Sequence, residues 1–330
     1  MFEINLSNAK QWSRIGSRGV FGQAILAIAK HYPEMLVMSA DLGNSSGLDR
    51  FKKAYPDQFL NTGIAEQNMI GVAAGLAKEG YNVFATSFAP FITMRAAEQV
   101  RMNLGYMGMN VKAVAIGSGV SMAFLGNSHY GIEDVSIMRS IPNITVVCPA
   151  DCAEIFKTVQ AAANFEGPMY IRLTGAVGNP PVYIEDYHFE IGKAIFLKEP
   201  SEVTFISTGS MVYESLEAAK IVEKSGIKAG VINMHTIKPL DVDAVEFALR
   251  VSKLIVTVEE HSIIGGVGSA VAEYKAQKSS APPQLMLGLP DKFDLTGDYR
   301  FLLELHGLTA EKISERVLSS FGKTSLRDSF

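Results

Sequence analysis

Short apolar runs alternate along the chain with longer stretches in which apolar residues recur every three or four positions. The runs at 35–40, 82–86, 111–116, 144–147 and 169–173 suit strands buried on both faces of a parallel sheet. The stretches at 17–30, 91–104, 133–139 and 151–163 have helical spacing, and Pro33 breaks the first of them. Between 174 and 187 the composition shifts to Gly, Pro and acidic residues, which reads as a linker. The alternation then resumes, with strands at 203–208, 229–234, 254–259 and 285–287 and helices at 211–225, 241–251, 266–278 and 309–321. A frayed tail is expected beyond residue 323. The fold class is therefore α/β: two domains, 1–185 and 188–330, each a mainly parallel sheet flanked by helices with right-handed crossovers.

One helical stretch, 61–80, carries an oddity. Gly71, Ala73, Ala74, Gly75 and Ala77 keep it narrow enough for close backbone approach, and Thr62 is its candidate N-cap. Glu66 places a carboxylate in its first turn, which either complements the helix dipole or is paired, neutral, or aimed at a ligand. The polar loop 41–47, from Asp41 through Ser45, follows the first strand. It sits at the carboxyl edge of the sheet where ligands gather in open α/β folds, and otherwise reads as a solvated turn.

Composition narrows the picture. At 330 residues the chain suits two domains, on a prior of about 150 residues each. A net charge of −4 with no basic stripe argues against nucleic-acid or membrane-surface partners. The first ten residues lack a secretory pattern and no window is apolar enough to span a bilayer, so a soluble, cytoplasmic protein is expected. Cys148 and Cys152 are too few for a disulfide scaffold or a metal site and read as buried reduced thiols. Gly265-Gly266-Val267-Gly268 lacks the timing of a dinucleotide motif and reads as helix packing or a subunit contact.

Three stretches taken together carry more: Gly63-Ile64-Ala65-Glu66-Gln67; Thr86-Ser87-Phe88-Ala89-Pro90-Phe91 with Ala97-Glu98-Gln99; and Ser128-His129-Tyr130-Gly131-Ile132-Glu133-Asp134 running into Arg139-Ser140-Ile141-Pro142-Asn143 and Pro149-Ala150-Asp151. Over about residues 16–325 the chain resembles the C-terminal half of transketolase, a pyrimidine-binding domain followed by a C-terminal domain.

The resemblance implies thiamine diphosphate as cofactor. Glu66 would hydrogen-bond a ring nitrogen of its aminopyrimidine and promote the imino tautomer, a role suited to a carboxylate sharing a proton in a low-dielectric site. Phe88 and Phe91 match the aromatic positions around that ring, with core filling as the alternative, and Asp41 is a further cofactor-side candidate. His129 matches a histidine that approaches the donor ketose and assists proton transfer. Arg18, Ser45 and Arg172 match positions that hold a phosphorylated sugar.

Two departures touch substrate. Leu125 replaces an aspartate that reads a donor hydroxyl, and a histidine expected near 117–119 is missing, which opens the way to a deoxygenated, unphosphorylated or nucleotide-linked sugar. The chain also has no Gly-Asp-Gly with a downstream Asn, the family's ligands for magnesium or calcium and the diphosphate. The expectation is a subunit of a split transketolase that transfers a two-carbon ketol unit. A separate N-terminal-type polypeptide would hold metal and diphosphate, in an α2β2 assembly. The alternatives are the β subunit of a 2-oxo-acid dehydrogenase first component, half of a 1-deoxyxylulose-5-phosphate synthase, and a non-catalytic scaffold.

Overall fold

A computed structural model describes residues 3–293 and 295–327, with side chains to residue 322. Two sheets carry the architecture. The first is built from β1 (Met35–Ser39), β2 (Phe59–Asn61), β3 (Asn82–Phe88), β4 (Val111–Ile116), β5 (Thr145–Val147) and β6 (Met169–Arg172). The second holds β7 (Ile195–Lys198), β8 (Val203–Ser207) and β9 (Ala229–Asn233), and later in the chain β11 (Leu254–Ser262) and β12 (Gln284–Leu289).

Between these last groups runs β10 (Thr236–Lys238), which crosses over. It pairs antiparallel with β5, giving the first sheet the order β10-β5-β6-β4-β3-β1-β2. The second sheet runs β12-β11-β8-β9-β7, with only β7 antiparallel to its neighbour. The short strands β2, β7 and β10 and the helices Leu6–Ile15, Asp49–Ala54 and Tyr299–Leu305 are additions to the elements expected from the sequence.

The continuous apolar runs do become two-faced strands. Along β3 and β4, Val83, Ala85, Ala113 and Ala115 enter one apolar cluster while Phe84, Phe88, Val114 and Ile116 enter the other. The first cluster continues without a break into the second unit through Ile206, Ile232, Val245 and Ile255, so the two sheets share an apolar core. Cys148 and Cys152 are free and buried, and burial pushes the Cys148 thiol up to about 12.

Three local expectations change. The Glu66 helix spans Glu66–Lys78, and Ala65 occupies its N-cap position. Thr62 instead ties the chain back to β1, its amide and hydroxyl both donating to the Ser39 carbonyl at 3.0 and 3.3 Å. The stretch expected as one helix at 91–104 is irregular: Phe91–Arg95 and Val100–Tyr106 are π-wound around a short α turn, Ala97–Gln99. The last helix, Ala310–Arg327, runs past 321, so the tail expected to fray is helical as far as Arg327, and residues 328–330 lie outside the described residues.

The glycine run at 265–268 serves helix packing. Gly266 sits at the N-cap position of the helix Val267–Lys275, and the Glu259 carboxylate accepts from the amides of Val267 and Gly268 at 2.8 and 2.9 Å. Among the described residues no helix is long and apolar enough to cross a membrane.

Candidate active site

The carboxyl ends of β1, β3 and β4 form the edge expected to gather ligands. Glu66, the first residue of its helix, is only 1% exposed although Ile64 and Gln67 beside it face solvent. Its two oxygens are held differently. Ser87, near the end of β3, donates to Oε1 at 2.9 Å, and Arg95 Nη1 donates to Oε2 at 2.7 Å. The carboxylate is therefore buried with both oxygens satisfied, as a buried charge must be.

Arg95 links Glu66 to a cluster of rings. Its guanidinium lies 4.1 Å from the centroid of Phe91. Phe91 meets Phe88 edge to face at 5.9 Å, and the His129 ring stands edge-on to both, at 5.7 Å from Phe88 and 5.3 Å from Phe91. Ser128 Oγ is 3.0 Å from His129 Nδ1. Glu66, the neighbouring pair Phe88 and Phe91, and His129, which lie far apart in sequence, thus come together through contacts that include Arg95.

This donor set can be tested against an aminopyrimidine. Flat apolar walls and a buried carboxylate suit a flat heteroaromatic with a hydrogen-bonding edge. The Arg95 guanidinium, itself a planar donor, already satisfies both requirements at once, so a planar donor fits there. The diphosphate is another matter. Among the described residues no group of three or more His, Cys, Asp or Glu side chains is placed to hold a metal ion.

A cleft of about 620 Å3 adjoins the rings, lined by Arg18, Asn44, Ser45, Gly117, Ser121 and Gly175 among others. Arg18 and Ser45 meet there because the helix Ser17–Ile28 packs backbone to backbone on the loop after β1. A Cβ at Gly22 would lie 2.0 Å from the Gly47 carbonyl oxygen. Gly117 connects the cleft to the rings, since a Cβ there would sit 3.3 Å from the Phe88 ring. Leu125 is half exposed on the turn Ala123–Ser128 that leads into His129. Asp41 adopts a left-handed backbone, φ 60°, and exchanges two 3.0 Å hydrogen bonds with Asn61. It stands on the same sheet edge, bound to Asn61 rather than to the ring cluster. A larger cleft of about 710 Å3, between 176–180 and the helices Met211–Lys224 and Ala310–Arg327, is lined by none of the expected site residues.

Arg172 is a correction. Expected at a sugar phosphate, it is fully buried at the end of β6, with Nε donating to Asp134 Oδ2 at 2.7 Å and Nη2 to the carbonyls of Gly131 and Glu260 at 2.8 and 2.9 Å. Tyr170 adds a 2.5 Å bond to the same Asp134 oxygen. Glu260 joins from β11, accepting from the Val120 amide, Ser210 and Tyr299, and burial raises its carboxyl above the usual range. Its Oε1 would lie 2.1 Å from a Cβ at Gly119, whose φ of +67° also demands glycine. Gly119 and Gly131 exchange two backbone bonds, closing the loop that carries His129. The network therefore pins that loop to both sheets.

Four of these residues, Ser87, Arg95, Asp134 and Glu260, were given no role by the sequence. The spacing of Arg95, four after Phe91 and so one helical turn away, is the signal that could have found it.

Residues 13–177 match the family described as transketolase, pyrimidine binding domain, and residues 192–313 the family described as transketolase, C-terminal domain. The chain is 39% identical to a putative transketolase C-terminal section from Methanocaldococcus jannaschii, over 93% of this chain and 97% of that one. It is 38% identical to a 6-deoxy-6-sulfo-D-fructose transketolase subunit from a Clostridium species, over 94% of each. Among solved structures it is similar to a split-gene transketolase in an inactive beta4 tetramer, with a TM-score of 0.83, 40% identity, and 93% and 98% of the two chains covered.

Proposed function

The chain belongs to the transketolase family, and from that premise we propose that it is the β-type subunit of a split transketolase, transferring a two-carbon ketol unit between sugars in a site shared with a second polypeptide. The observation that carries this reading is the buried Glu66 carboxylate beside the Phe88–Phe91–His129 ring cluster. Thiamine diphosphate, when bound, supplies the carbon nucleophile and electron sink that cleave and remake the bond next to a ketose carbonyl.

Glu66 holds the aminopyrimidine edge and shares a proton with its ring nitrogen, a task favoured by burial. Phe88 and Phe91 flank the ring and exclude water. His129, at the rim of the cluster, moves protons at the donor's hydroxyls. Diphosphate and its magnesium or calcium fall to the partner subunit, a reading supported by the inactivity of a similar chain assembled only with itself. The partner would approach the exposed apolar side chains Ile64, Met94, Met102 and Tyr106, and the open helix face at Gly71 and Gly75, where a Cβ would meet nothing within 4 Å.

Arg18 in the cleft suits a sugar with an anionic end, phosphate or sulfonate, and the Clostridium relative named for a sulfonated ketose supports that class. Leu125 in place of a hydroxyl-reading carboxylate suits a donor deoxygenated at the matching carbon.

The test is co-expression with the product of a neighbouring reading frame, followed by assay of thiamine-diphosphate-dependent ketol transfer from a panel of phosphorylated and sulfonated ketoses. Transfer by the pair and not by this chain alone is expected. Turnover by the isolated chain, or decarboxylation of a 2-oxo acid with transfer to a lipoyl domain, would overturn the reading.

A further inference from the structure

We propose that Arg95 is a latch that occupies the aminopyrimidine position in the unloaded subunit and must leave it for the cofactor to engage Glu66. The inference rests on the reading of Glu66 as the cofactor's partner. Arg95 Nη1 meets Glu66 Oε2 at 2.7 Å while the guanidinium lies 4.1 Å from the Phe91 centroid, so one planar group meets both demands that the pyrimidine ring would make.

The guanidinium carries donors only, and while it lies on Oε2 and against Phe91 it fills the place a heteroaromatic edge would take. With Ser87 on Oε1 and Arg95 on Oε2, each carboxylate oxygen already has a donor. Each oxygen could accept a second bond, but a ring laid on Phe91 with its edge at Oε2 needs the space that the guanidinium fills. Ser87 is fixed within β3 and buried, whereas the Arg95 side chain is 45% exposed and its guanidinium can turn into solvent.

The backbone is built for that swing. The Arg95 carbonyl accepts from Gln67 Nε2 at 3.1 Å, anchoring the main chain to the Glu66 helix, and Ala96 just after it leaves helical geometry. The main chain can hold its place as the side chain departs. In the unloaded subunit the latch neutralises a buried charge that would otherwise be uncompensated.

The experiment compares wild type with Arg95→Ala, Arg95→Gln and Arg95→Lys. Binding of thiamine, which lacks the diphosphate, to the isolated full chain is followed by ligand-observed NMR, and binding of thiamine diphosphate to the co-expressed pair by fluorescence quenching. Arg95→Ala should tighten both by about fivefold, the scale of a half-exposed ion pair. Arg95→Gln, planar but uncharged, should fall between Ala and wild type, and Arg95→Lys should stay near wild type. An Arg95→Ala chain that binds no better than wild type overturns the latch. Adding Glu66→Gln separates the two claims: if it weakens binding while Arg95→Ala has no effect, only the latch fails. If it leaves binding untouched in both backgrounds, the assignment of Glu66 fails and the latch with it.

Discussion

Arg172 and Asp134 form an ion pair, Nε to Oδ2 at 2.7 Å, in which neither side chain is more than 1% exposed. The pair joins the end of β6 to the helix Asp134–Ser140, and through the Glu260 carbonyl it reaches the second sheet. Arg172→Ala would leave Asp134 buried without its counter-charge, at a cost of about 3–5 kcal/mol. Urea denaturation of the isolated chain should register that loss in full. A surface phosphate ligand would leave the denaturation midpoint unmoved.

Glu66→Gln should leave the fold intact, because glutamine keeps the shape and can still accept from Ser87. Turnover by the assembled enzyme should fall by at least about 100-fold, the low end for loss of a positioned proton-transfer group. Circular dichroism paired with the ketol-transfer assay checks both halves of that statement, and undiminished turnover removes Glu66 from the reaction.

Substituting Arg18 by alanine is expected to act on substrate charge. For an anionic ketose kcat/KM should drop about 10- to 100-fold, matching the loss of a charged hydrogen bond, while a neutral analogue should show little change. Equal losses for both substrates would place Arg18 in the scaffold of the cleft.

His129→Ala should lower kcat by about 100-fold or more with thiamine diphosphate affinity nearly retained, since the histidine meets the rings only edge-on. Steady-state kinetics beside a cofactor titration would distinguish this from a cofactor-binding role, in which affinity falls first.

A pH dependence of stability follows from Glu154. It is buried against the linker, accepting from the Ala150 amide, Asn233 and Tyr187, and burial pushes its carboxyl up to about 7 from an ordinary value near 4.5. Between those values the folded chain keeps a proton that the unfolded chain has released. This site's contribution therefore falls as pH rises through the window, by on the order of 3 kcal/mol in all, and is level above it. His235 and His261, held down to about 4 by burial, act oppositely between about 4 and 6.5. Glu154→Gln should cancel only the first slope. The gap between the variant's and the wild type's unfolding free energies, measured from pH 5 to 7.5, should shift in the variant's favour, and a constant gap would refute the assignment.

Much of the fold could be read from the residues because strands covered on both faces need unbroken apolar runs, which leave little ambiguity. The elements that escaped had no such signature. β10 is three residues, Thr236-Ile237-Lys238, and its place in a distant sheet is set by what it meets. The irregular winding of Phe91–Tyr106 is likewise a product of packing rather than periodicity.

At the site, Glu66 was legible because a carboxylate among small apolar residues demands an explanation. Arg95 was not, because an arginine in a helix's last turn ordinarily reaches into water. Arg172 was matched to a phosphate-holding position through the resemblance, although its place in a run suited to a buried strand already pointed to the interior.

The crossing strand β10 changes how the molecule can be divided. Cutting at the linker would strip β5 of its outer neighbour β10 and make β5, buried in the intact sheet, the edge strand of the first fragment, the kind of edge that recruits other chains. The boundary drawn by composition is thus crossed by one strand and by the apolar core. The sheet and the apolar core both run across it, so the two units are joined by strand pairing and packing as well as by the chain itself.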